Sequence, residues 1–332
     1  MATETMSKRE RVRAALAGDE VDRVPISFWG HFEADPRTGE EVAAACLAFQ
    51  RRFDWDFVKM MPSGMYFPQA LGCEITPASG PGGVNGLATS VVNSAADWVR
   101  LPELDPTKGW LAEHVESVRI ARRELGPDVP IIQTLFSPLT VAHKLSLNGA
   151  FGRYVREETD ALIKGLESIT RSSIKFAQAT LDAGADGFFY ATQDATLDEL
   201  TEPEFERLGK AYDLRVLKAL DDRAWFNLFH VCRESIMADE VATYPVDAVN
   251  WDSHHNYPSF EQAKRIWPQA LVGGLDRHGA ILRGTPEEVA REVRAAVESV
   301  GGRHAMISAG CALPLARPDA NLDAARRAVE RA

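Results

Sequence analysis

His230 and Cys232 close an apolar run, Trp225-Phe226-Asn227-Leu228-Phe229-His230-Val231-Cys232. In a strand, residues i and i+2 point to the same side, so one imidazole and one thiolate aim at a single point. A second apolar run, His304-Ala305-Met306-Ile307-Ser308-Ala309-Gly310-Cys311, ends in another cysteine. One histidine and two cysteines form a known ligand set for catalytic zinc, with one coordination position left open for substrate. We therefore expect His230, Cys232 and Cys311 to hold a metal. Two buried cysteines and a core histidine would explain any one of these residues alone. A closed structural site would need a fourth ligand, for which Cys73 is the available cysteine. Cys46, inside Ala43-Ala44-Ala45-Cys46, reads as a small buried apolar residue.

The elements that must position these residues alternate between short apolar runs and helical stretches, the pattern of parallel βα units. Candidate strands begin near residues 24, 56, 130, 186, 225, 247, 270 and 304. Eight such units close a (β/α)8 barrel, whose active site lies at the C-terminal ends of its strands. A doubly wound open sheet is the second choice, and it lacks a G-x-G-x-x-G after the first strand. Helices are expected at 110 to 125, 138 to 148, 155 to 183, 204 to 220 and 259 to 266. Ser7-Lys8-Arg9-Glu10 and Thr285-Pro286-Glu287-Glu288 read as capping boxes that start two more. Residues 62 to 105, with Gly80-Pro81-Gly82-Gly83, read as an inserted loop or hairpin after the second strand that covers the barrel mouth. The expectation is one domain, residues 1 to 332.

The formal net charge of −11 and pI near 5.3 argue against nucleic acid or an anionic membrane as partner. They also disfavour a strongly anionic substrate, unless a local patch overrides the average. Four cysteines in 332 residues are too sparse for a disulfide framework. No stretch is long and apolar enough to span a bilayer, and Met1-Ala2-Thr3-Glu4-Thr5-Met6 does not begin a secretory signal, so a cytoplasmic protein is expected.

Other polar residues fall at the same ends of the expected strands. Asp252 and Asp276 are catalytic candidates, against the simpler role of capping a helix or bonding within a loop. His31, Gln133, Tyr190, Gln193 and Asp194 are candidates for substrate contact. Trp29 could line an apolar cavity or simply pack. His254 and His255 read as an exposed loop pair.

At these residues the chain resembles the uroporphyrinogen decarboxylase superfamily, in its zinc-dependent branch of methylcobamide:thiol (coenzyme M) methyltransferases. The resemblance covers most of the chain. It is carried by Arg23-Val24-Pro25, Ala183-Gly184-Ala185-Asp186, His230-x-Cys232, Gly274-Leu275-Asp276, Gly284-Thr285-Pro286-Glu287-Glu288-Val289 and Ser308-Ala309-Gly310-Cys311-Ala312-Leu313-Pro314. It implies zinc on His230, Cys232 and Cys311, and a thiol activated as the zinc thiolate. The thiolate would exchange a methyl group with a methylcobamide, leaving Co(I). Asp276-Arg277-His278-Gly279-Ala280-Ile281 departs from the base-off cobamide motif Asp-x-His-x-x-Gly at Ile281, which implies that a separate corrinoid protein delivers the cofactor. The decarboxylases proper carry Arg-x-x-Gly-Arg-Tyr after the first strand. Residues 27 to 35 here contain no arginine, so porphyrinogen decarboxylation is not expected. Methyl transfer involving a folate or another methylated compound is the alternative, as is a decarboxylase-like protein without porphyrinogen activity. The residues name no acceptor, and a homodimer is compatible with them.

Overall fold

Runs such as Ile131-Ile132-Gln133-Thr134-Leu135-Phe136 are apolar with little alternation, which is what a strand covered on both faces requires. In the computed structural model, which describes residues 5–33, 35–80, 83–220 and 223–331, these runs form a parallel sheet. We number the strands β1 (Val58–Lys59), β2 (Glu74–Ile75), β3 (Leu87–Thr89), β4 (Ile131–Phe136), β5 (Gly187–Thr192), β6 (Leu228–Val231), β7 (Ala248–Trp251), β8 (Ala270–Leu275) and β9 (Ala305–Ala309). Seven of them pair in the order β1-β4-β5-β6-β7-β8-β9, each neighbour parallel. The architecture is α/β, with a curled parallel sheet and helices in the connections.

The first expected strand differs from the other seven. Residues 24 to 30 make only isolated parallel bridges to the β9 side, Ile26 with Ile307 and Gly30 with Leu313. Pro25 has no N–H to give to a ladder. On the β1 side, side chains replace part of the ladder. The Ile26 N–H donates to Asp56 Oδ2 at 2.8 Å, and Ser27 Oγ donates to the Phe57 carbonyl at 2.7 Å. One backbone bond remains there, from the Asp56 N–H to the Ile26 carbonyl at 3.0 Å. The segment therefore touches both edges of the seven-stranded sheet. Asp56 is fully buried and also receives Arg11 at 2.8 Å and Arg23 at 2.6 Å, so its charge is compensated.

Helices start where the caps indicated. Ser7 and Glu10 form a reciprocal box at Lys8–Ala17, and Thr285 and Glu288 do so at Pro286–Ser299. The helix expected at 155 to 183 is two, Phe151–Arg156 and Thr159–Asp182. The one expected at 204 to 220 begins at Glu202 and widens into a π-turn over Glu206–Lys210. Within that turn a Cβ on Gly209 would lie 2.6 Å from the Phe205 ring, so the ring takes the space of a side chain there. Within residues 62 to 105, β2 and β3 pair antiparallel, flanked by short helices Tyr66–Ala70 and Ala95–Arg100. No helix among the described residues is long and apolar enough to cross a membrane.

Candidate metal centre

The period-2 alternation of strands decides which side chains meet. On β6 it turns His230 inward, and Cys232 follows two residues on. On β9 the chain runs past Ala309 to Gly310 and Cys311. Gly310 has no room for a side chain: a Cβ would lie 2.6 Å from the Asp252 Cα and 2.9 Å from the Trp251 carbonyl. This close approach of backbones brings the Cys311 strand against the end of β7.

The ligand atoms of His230, Cys232 and Cys311 all lie within 4.8 Å of one another. Cys311 Sγ is 3.5 Å from His230 Nε2. Two ligands at about 2.3 Å and about 2.05 Å from a tetrahedral zinc ion lie about 3.6 Å apart, so this edge fits the ion's geometry. His230 is 4 % exposed, and the Phe189 ring stacks on it with centroids 4.8 Å apart. Its Nδ1 is 2.7 Å from Asn250 Oδ1, which leaves Nε2 toward the thiols. The hydrogen bond from Cys232 pulls the Cys311 thiol well below its ordinary value, while the same contact and burial push Cys232 up. Donor types, spacing and tautomer all fit zinc.

The three residues face a cavity of about 430 Å³, lined also by Trp29, His31, Lys59, Lys144, Phe189, Gln193 and Arg277, with Pro62, Gly64 and Val84 from the 62–105 segment. Burial and nearby Lys59 lower the His31 imidazole to about 4, so it is neutral at physiological pH. Burial lowers the Lys59 ammonium to about 7 and lowers Lys144 as well. Neither lysine, nor Arg277, forms a salt bridge with a carboxylate among the described residues. The cavity thus gathers three basic side chains that the acidic net charge of the chain does not reveal.

The remaining candidates divide. Trp29, His31 and Gln193 line the cavity. Gln133 and Tyr190 do not, because both sit on the outward phase of their strands. Gln133 Nε2 donates to the His114 carbonyl at 3.1 Å, and Tyr190 donates its hydroxyl proton to Asp213 at 2.7 Å. Their neighbours Thr134, Phe189 and Ala191 face inward instead. Asp194 is fully buried behind the wall, bonded to Thr140 at 2.6 Å and His143 at 2.5 Å. Asp252 pairs with His255 at 3.1 Å, and Asp276 accepts from the His278 N–H at 2.8 Å, so both carboxylates serve their own loops. Cys73 and Cys46 are buried apart from the cluster. Sequence reasoning missed Lys59, Lys144 and Arg277. Lys59 did leave a signal, as a lone cation inside Phe57-Val58-Lys59-Met60-Met61.

The fold and site define a barrel-like α/β protein with a His–Cys–Cys cluster that could hold a soft metal at the carboxyl ends of its strands. Residues 7–332 match the family Uroporphyrinogen decarboxylase (URO-D), and the chain belongs to that family. It is 23% identical over 338 residues to Methylcobamide:CoM methyltransferase MtaA of Methanosarcina barkeri, covering 95% of each chain. It is 26% identical over 324 residues to a uroporphyrinogen decarboxylase of Xylella fastidiosa, covering 89% of this chain and 88% of that one. A solved methyltransferase from Methanosarcina mazei superposes with a TM-score of 0.86 at 21% identity, over 98% of this chain and 99% of the other, and so shares the fold.

Proposed function

We propose that the protein is a zinc-dependent methyltransferase that moves a methyl group between a methylcobamide on a separate corrinoid protein and a thiol. The observation that carries this reading is the His230–Cys232–Cys311 cluster opening onto the cavity, with its 3.5 Å imidazole-to-thiol edge. Zinc bound there would keep a substrate thiol, with an ordinary pKa near ~8.5, deprotonated at neutral pH. His230, Cys232 and Cys311 hold the ion through neutral imidazole and two cysteinates and leave one position open. Phe189 covers the imidazole face and excludes water from it. Lys59, Lys144 and Arg277 give the cavity the charge to hold an anionic substituent of the acceptor. Trp29, His31 and Gln193 shape its wall. Asp252 and Asp276 act by ordering the loops beside the ligands rather than by proton transfer.

In this reading residues 24–30 fill the eighth position of a closed (β/α)8 barrel, with 1–332 a single domain and 62–105 lying over its mouth. The names of the Methanosarcina relatives support a corrinoid-linked thiol acceptor. The absence of arginine from residues 27–35 weighs against porphyrinogen decarboxylation.

The test is zinc content of protein purified without chelator, followed by release of Co(I) from methylcobalamin on addition of a thiol. About one zinc per chain is expected, lost in Cys311→Ser together with the Co(I) signal. No zinc in either protein, or full zinc retained in Cys311→Ser, would overturn the proposal.

A further inference from the structure

Asn250 lies on β7 directly opposite His230 in the β6–β7 register and is fully buried. Its amide orientation is set by its surroundings. Nδ2 is 2.7 Å from the Val272 carbonyl and 3.0 Å from the Ala309 carbonyl. Carbonyl oxygens only accept, so the atom facing them must be the donating nitrogen. Oδ1 is therefore the atom 2.7 Å from His230 Nδ1. An amide oxygen also only accepts, so His230 Nδ1 carries the proton. In a neutral imidazole the other nitrogen then holds the lone pair. That nitrogen is Nε2, the one 3.5 Å from Cys311 Sγ.

The second half of the contact concerns position rather than protonation. Ala309 stands two residues before Cys311, so one side chain is bonded both to the histidine ligand and to the strand that carries a cysteine ligand. It spans β6, β7, β8 and β9 at the point where the ligands converge. A carboxylate here could hold the imidazole proton but could not donate to the two carbonyls. It would also add charge to a site that already contains two thiols.

We propose that Asn250 is a positioning residue of the metal centre: it fixes His230 in the Nδ1–H tautomer and ties the Cys311 strand to it. Its role rests on the metal reading above, but the tautomer is a property of the metal-free chain and can be measured without zinc.

The experiment is nitrogen-15 NMR of histidine side chains in the metal-free protein, with His230 identified by its missing signals in His230→Gln. The Nδ1–H tautomer is expected for His230, and Asn250→Leu, similar in size but apolar, is expected to lose it. Competition with a chromophoric chelator is expected to show zinc binding weakened about 10–100-fold in Asn250→Leu, and an affinity unchanged within about twofold would overturn the role. An Nε2–H tautomer in the unsubstituted protein would overturn the proposal even if Asn250→Leu does not fold. Failure of the unsubstituted protein to bind zinc, with the Nδ1–H tautomer in place, would instead overturn the metal reading and the role that depends on it.

Discussion

Replacing Lys59 by methionine is expected to stabilise the metal-free fold while damaging the site. Lys59 is 8 % exposed and lies on the inward phase of β1, its Nζ 2.7 Å from Met61 Sδ and 4.4 Å from the Phe189 ring centroid. A thioether and an aromatic face replace little of the hydration that an ammonium loses on burial. Burial accordingly lowers the group from 10.5 to about 7, against an opposing pull from Cys311. At about 1.4 kcal/mol per pH unit, this fall is worth about 5 kcal/mol in favour of the neutral amine. At pH 7, where about half of the folded molecules carry the proton, the cost to folding is about 4 kcal/mol. Between pH 7 and 10.5 the unfolded chain holds a proton at this side chain that the folded chain lacks, so this group makes stability rise with pH across that window. Methionine keeps the length and removes the charge. Lys59→Met should therefore exceed the unsubstituted protein by up to about 4 kcal/mol at pH 7, a gap that closes toward pH 10.5. Urea unfolding followed by tryptophan fluorescence, with chelator and reductant present, reads both quantities. Equal stabilities at pH 7, or a gap that does not shrink with pH, would refute the account of Lys59 as a desolvated cation. The same variant should bind anionic thiols more weakly. Stability gained with affinity lost marks a residue kept for the site rather than the fold.

Three further outcomes follow from the packing. Asp56→Ala removes the carboxylate that receives Arg11, Arg23 and the Ile26 N–H, and should lower stability by about 3–5 kcal/mol in denaturant melts. Gly310→Ala should reduce bound zinc in elemental analysis, because its methyl group would meet the Asp252 backbone 2.6 Å away and displace Cys311; undiminished zinc would show that the strand ends can yield. Burial raises Asp213 to about 6 despite bonds from Tyr190 and Tyr244, so this group makes stability fall as pH rises from 3.8 to about 6. Asp213→Asn should remove about 3 kcal/mol of that pH dependence, measured by unfolding across the window.

Much of this protein is legible in its sequence alone. Strongly apolar runs alternating with capped helices specify parallel βα units, because local burial and N-terminal capping depend on near neighbours in the chain. The three metal-ligand candidates are legible for a related reason: His230-x-Cys232 shares a face by strand periodicity, and a cysteine closing a later apolar run falls at the same end of the sheet. Gln133 and Tyr190 show where this reasoning stops. Both lie inside strands that lead to the site, yet one residue of phase turns each outward, toward His114 and Asp213. That phase is set by sheet curvature and by which helix packs behind each strand. The gathering of Lys59, Lys144 and Arg277 in one cavity of an acidic chain, the Asn250 amide that joins four strands, and the side-chain bonds that replace part of the ladder at residues 24–30 belong to the tertiary structure alone. Each depends on the relative placement of strands far apart in sequence, which no local pattern encodes.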